Sequence, residues 1–103
     1  MYQLVLCTCP TTELAEKIAT ALVTEKLVAC VNILPQITSV YQWQGKIEKD
    51  SEVQLLIKTT AASFSSVNQR IRDLHSYDVP EVIAVDIQQG DSEYLDWITN
   101  SLK

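Results

Sequence analysis

Hydrophobic and polar positions divide the chain into segments of two different periods. Residues 2 to 8, "YQLVLCT", are a short apolar run rich in strand formers, and Pro10, which has no amide hydrogen for a ladder, closes it. The run "TTELAEKIATALVTEK" then changes period. Leu14, Ile18, Ala21 and Leu22 fall on one helical face, Glu13 and Glu16 favour the N-terminal end through the helix dipole, and Thr11 or Thr12 supplies the cap. "LVACVNILP" reads as a second strand, broken or bulged at Pro35. In "QITSVYQWQGKIE", Ile37, Ser39, Tyr41 and Trp43 alternate onto one face ahead of a Gln44-Gly45 turn. "SEVQLLIKTT" returns as the partner strand, so the pattern predicts a long hairpin. "AASFSSVNQRIRDLHSY" predicts a second helix carrying Phe64, Val67, Ile71 and Leu74 on its apolar face. "VPEVIAVDI" predicts a fourth strand set off by Pro80. After Gly90, Asp91 or Ser92 caps a short terminal helix that buries Tyr94, Leu95, Ile98 and Leu102.

The order β-α-β-β-α-β with an added helix predicts an α+β, ferredoxin-like sandwich in a single domain spanning residues 1–103. Two helices cover one face of such a sheet. Yet "QLVL", "VACVNIL", "VQLLI" and "VIAV" are apolar at odd and even positions alike, where a wetted face would alternate. The second face therefore calls for a cover, and another copy of the chain is the simplest one. A homo-oligomer is expected.

Charge narrows the partners. Eight basic side chains against thirteen acidic ones leave a net charge of −5, with no Lys/Arg cluster. That balance argues against nucleic acid and against anionic membrane surfaces. The start "MYQLVLCTCP" shows no charged leader, and no apolar stretch has the length of a membrane span. The cytoplasm is the expected location. There thiols stay reduced, so Cys7, Cys9 and Cys30 are expected to be free thiols or ligands.

Three places carry candidate chemistry. Cys7 and Cys9, two apart on a strand, point the same way and form either a soft-metal pair or two small apolar side chains in a core. His75, the one histidine, stands at the end of the second helix, as a metal ligand or as a helix-terminal residue favoured by the dipole. Tyr41, Trp43, Glu52, Lys58, Tyr77, Asp86 and Trp97 either make structural pairs or line a subunit-interface pocket. No Ser-His-Asp pattern, Gly-rich phosphate loop or His-Glu protease motif is present, so no enzymatic activity is expected.

The stretches "LVACVNILP", "SVYQWQGKIEKDSEVQLLIKT", "LHSYDVPEVIAVDI" and "GDSEYLDWI" resemble the CutA divalent-cation-tolerance family. The combination of S-x-Y-x-W-x-G, E-x-x-L-x-x-K-T and H-x-Y-x-x-P-E carries the likeness through nearly the whole chain. The resemblance implies a homotrimer of ferredoxin-like subunits, similar in architecture to PII signalling proteins. It also implies tolerance to copper and other divalent metals such as zinc, without an organic cofactor. Cys7 matches the cysteine of the family's C-T-x-P, and His75 the histidine of its H-P-Y. Ser76 replaces that motif's proline, and Leu74 stands where some members have a second histidine. Cys9 is then the further soft ligand at hand. The rival expectation is a PII-like sensor or scaffold, with an unidentified protein partner, whose interface cleft takes a small anionic or aromatic molecule. A structural trimer with no ligand is the third.

Overall fold

A computed structural model describes residues 1–103. The elements run β1 (Tyr2–Cys9), α1 (Thr12–Thr24), β2 (Cys30–Trp43), β3 (Lys46–Thr60), a 3-10 turn (Ala61–Ser63), α2 (Phe64–Leu74), β4 (Ile83–Ile87) and α3 (Ser92–Ser101). The sheet order is β2-β3-β1-β4 with antiparallel neighbours throughout. This is the α+β, ferredoxin-like architecture with an extra C-terminal helix.

Caps fix where the helices begin. The Leu14 amide donates to Thr11 Oγ1 at 3.1 Å, and the Tyr94 amide to Asp91 Oδ2 at 3.1 Å. Each satisfies an amide that the first helical turn leaves without a partner. α2 stops earlier than the periodicity suggests: His75 is already extended, with φ −73° and ψ 148°. The residue lies past the helix end, so its ring is placed by its own hydrogen bonds rather than by the helix dipole.

One face of the sheet packs on α1 and α2. Val5, Cys7 and Cys9 of β1 meet Val53, Leu55 and Ile57 of β3 beneath Ile18 and Leu22 of α1 and Val67 and Ile71 of α2, all buried. Alternation sends Leu4, Leu6 and Thr8 to the opposite face, beside Lys58, Leu56 and Gln54 in the register. α3 covers one end of that face: the Tyr2 hydroxyl meets Thr99 Oγ1 at 2.5 Å, and Cys30 Sγ lies 3.6 Å from the Tyr94 hydroxyl. Ile98 is its buried anchor, whereas Tyr94, expected inside, is 43% exposed. The rest of the second face, with Leu34, Ile83 and Val85, is open.

The hairpin is longer than either flanking strand. β2 passes Pro35 as one strand through a bulge between Leu34 and Ile37, with Gln36 at φ 58°. Gln44 (φ 51°) and Gly45 (φ 79°) make the two-residue turn that the sheet's right-handed twist favours. β1 pairs with β3 from Val53 onward, so the ribbon from Ile37 to Ser51 has no third strand. That ribbon stretches the molecule to 45 × 26 × 22 Å.

Candidate metal centre and the neighbouring cleft

The buried end of β1 and the segment after α2 meet at one point. The strand turns Cys7 and Cys9 to the helix-covered face, and both side chains are fully enclosed. His75, 67 residues further on, places its Nε2 2.7 Å from the Thr8 carbonyl oxygen. The sulfurs of Cys7 and Cys9 and a ring nitrogen of His75 all lie within 4.8 Å of one another. An ion bound to sulfur at about 2.3 Å spans two sulfurs about 4.6 Å apart, so a small inward movement would close the set on one ion. Two thiols and an imidazole are soft and borderline donors, which suits cuprous copper or zinc.

The hydrogen bonds of His75 define its proton. Nδ1 accepts the Tyr77 amide at 3.1 Å, so Nε2 carries the hydrogen that goes to Thr8. Neither ring nitrogen has a free lone pair in this arrangement, and a metal bound to the ring must displace one partner. The two thiols act on each other. The hydrogen bond to Cys9, followed by burial, pushes the Cys7 thiol well above its ordinary range, while the same bond pulls Cys9 down against burial. The Thr8 carbonyl also takes a weak sulfur contact from Cys7 at 3.8 Å.

Thr8 has its side chain on the other face, where it lines a cleft of about 960 Å³. Tyr41 and Trp43 of β2, Asp50 and Glu52 of β3, and the loop residues Ser76 to Val79 and Glu81 form its walls. Tyr77 ties the cleft to the metal cluster. Its ring centroid is 4.8 Å from that of His75, and its hydroxyl donates to Glu52 Oε2 at 2.7 Å. The Tyr41 hydroxyl donates to Asp50 Oδ2. Burial and the Glu52 carboxylate raise the Tyr77 phenol, and the bond to Asp50 pushes Tyr41 up to about 12.

Four of the seven expected cleft residues, Tyr41, Trp43, Glu52 and Tyr77, are thus brought together, and three are not. Lys58 shares the sheet face of Glu52 but bonds Asn32 Oδ1 and reaches Cys30 Sγ at 3.8 Å. Trp97 packs against Tyr94 on α3, with centroids 5.5 Å apart. Asp86 accepts from Gln3 at 3.0 Å. Without Lys58 the cleft has no basic residue. Its walls carry four carboxylates, the wrong charge for the first of the two ligand kinds expected there, anionic or aromatic. Asp50, Asp78 and Glu81 were missed as cleft residues, although the alternating acids of "EKDSE" and the Glu that ends H-x-Y-x-x-P-E were visible signals.

Fold and site together define a ferredoxin-like protein with a buried two-thiol, one-imidazole cluster at the end of its first strand. Residues 3–101 match the model of the CutA1 divalent ion tolerance protein family, and the chain belongs to that family. It is 50% identical over 98 residues to the divalent-cation tolerance protein CutA of Thermus thermophilus, covering 95% of each chain. It is 48% identical over 91 residues to human protein CutA, spanning 88% of this chain but 51% of that longer one. Among solved structures, a divalent cation tolerance protein from T. thermophilus superposes with TM-score 0.97 at 48% identity, over 100% of both chains. CutA1 from Oryza sativa does so with TM-score 0.97 at 42% identity, over 99% and 94%.

Proposed function

We propose that this chain is a non-enzymatic, homotrimeric, cytoplasmic protein that binds copper through Cys7, Cys9 and His75 and so contributes to divalent-cation tolerance. The observation that carries the reading is the convergence of three ligand atoms within 4.8 Å. Copper enters as the cuprous ion, the state that thiolates favour, and zinc is the second ion suited to the donor set. Three free cysteines fit a reducing compartment. A catalytic thiol would need a base, and His75 commits both ring nitrogens to the backbone of Thr8 and Tyr77. Two features support the trimer: the apolar second face, and a two-stranded ribbon of a kind that is marginal in water without further packing.

The test is a copper(I) titration of the reduced protein against a competing chelator. One ion per chain, lost on changing Cys7 or Cys9, supports the reading. Weak binding indifferent to both changes would reduce the cysteines to packing.

A second reading is a PII-like sensor or scaffold that binds a small molecule in the cleft. The cavity of about 960 Å³, walled by aromatic and acidic side chains, favours it.

A further inference from the structure

His75 is the joint between the buried thiols and the loop that follows α2. None of the 10 backbone hydrogen bonds outside the helices and strands involves residues 76 to 82. Side chains hold that loop instead. The Tyr77 amide donates to His75 Nδ1 at 3.1 Å, the Tyr77 hydroxyl donates to Glu52 Oε2 at 2.7 Å, and Arg72 donates to the Asp78 carbonyl at 3.4 Å. The Tyr77 ring lies tilted against that of His75, with centroids 4.8 Å apart. These bonds lie within one chain and need no free surface.

The imidazole faces two ways. Nε2 donates to the Thr8 carbonyl, which Cys7 Sγ also approaches at 3.8 Å, while Nδ1 accepts from the loop. A neutral imidazole carries one hydrogen, and a metal takes the lone pair of the nitrogen without it. An ion at Nδ1 displaces the Tyr77 amide directly. An ion at Nε2 leaves the ring's hydrogen on Nδ1, where it meets the hydrogen of the Tyr77 amide, and two donors cannot bond. The Tyr77 amide is released by either route, whereas the Thr8 bond is lost only by the second. The freed amide must turn to water, and the turn of its peptide plane carries the Tyr77 side chain with it.

We infer that the loop from Ser76 to Val82 responds to occupancy of the thiol–imidazole cluster: capture of an ion by His75 expels the Tyr77 amide and draws the Tyr77 hydroxyl off Glu52. Glu52 pairs with Ile37 at the foot of the β2–β3 ribbon, so a buried event is relayed to that ribbon. This rests on His75 as a metal ligand and gives that site a conformational output. Linkage makes the relay reciprocal: a bond that holds Tyr77 down opposes capture, and removing it favours capture.

The experiment uses the reduced full chain labelled with nitrogen-15 histidine and titrated with copper(I) from a chelator buffer. His75 is the one histidine, so the ring signals are unambiguous. At saturation the ring nitrogens should shift, and the segment 76–82 should exchange its amide hydrogens about tenfold faster or more, with α1 unchanged. Tyr77→Phe keeps the amide and loses the bond to Glu52. With its fold verified by circular dichroism, it should bind copper(I) about two- to tenfold more tightly. Shifted ring signals with unchanged exchange in the segment, or with faster exchange throughout the chain, would overturn the inference and leave the metal site standing. So would an unchanged or weaker affinity in Tyr77→Phe. Copper(I) bound with the ring signals unmoved would confine it to the thiols and overturn the inference as well. No copper(I) bound would remove the inference and the metal reading together.

Discussion

His75 Nε2 donates to the Thr8 carbonyl across 2.7 Å and so fastens the segment after α2 to the last turn of pleat in β1. The same ring takes the Tyr77 amide at Nδ1. A side chain that the sequence offers as a ligand thus also holds the backbone together. Replacing it by alanine leaves a half-buried carbonyl and an amide to find other partners. His75→Ala should lower stability by about 1–3 kcal/mol. Urea unfolding at fixed chain concentration checks this, and an unchanged midpoint would show that water replaces both bonds without cost.

The bonds of His75 also rank the ligands. A metal gains the ring only by displacing Thr8 or Tyr77, whereas Cys7 and Cys9 face each other with no strong partner to lose. Cys7→Ala and Cys9→Ala should each weaken copper(I) binding more than about 100-fold, and His75→Ala by only about tenfold. X-ray absorption of the copper-loaded protein should show two sulfur neighbours in the first shell. Equal losses from all three changes would put the imidazole on a par with the thiolates.

Much of the fold was legible because the chain changes period cleanly. Leu14, Ile18 and Leu22 announce α1, and Gln44-Gly45 announces the hairpin turn. Strand alternation likewise put Cys7 and Cys9 on one face. The cleft was only half legible, because alternation gives a residue's face but not its place along the strand. Lys58 and Glu52 share a face, yet six residues at about 3.3 Å each set them about 20 Å apart. The end that holds Lys58 is the one α3 covers, which carries Trp97 to the same end. The approach of His75 to Thr8 depends on where α2 stops and how the following loop turns, and neither has a periodic signal.

The tyrosines of the cleft predict a pH dependence at the alkaline side. Tyr41 is pushed up to about 12, first by its bond to Asp50, and Tyr77 is raised by burial and by Glu52. Both phenols thus hold their protons more tightly in the fold than the unfolded chain does, where the ordinary value is about 10. Their contribution is complete below pH of about 10 and declines as pH rises toward the folded values, since there the unfolded state binds fewer protons. Urea midpoints should therefore fall between pH 10 and 12, and the fall should be shallower in a Tyr41→Phe, Tyr77→Phe variant. An equal slope in that variant would mean that other groups set the alkaline limit.

The open part of the second sheet face makes the sharpest demand on assembly. Val85 lies opposite Leu4 and Ile83 opposite Leu6, and the two β4 residues are 51% and 53% exposed in the single chain. β-branched residues on a flat strand with no cover invite pairing or aggregation unless a partner closes over them. If three chains meet through this face, a carboxylate at Val85 enters the contact without a partner and splits it, whereas a carboxylate on the outer surface of α1 does nothing comparable. Val85→Glu should therefore yield monomers by light scattering, with stability that no longer depends on concentration. Val23→Glu, at an exposed position on α1, should keep the mass of the parent. The parent itself should scatter as three chains of 11.6 kDa. A parent that is a folded monomer at micromolar concentration would refute the trimer, and a Val85→Glu protein that stays trimeric would move the contact to the ribbon between Ile37 and Ser51, the other surface that lacks support within the chain.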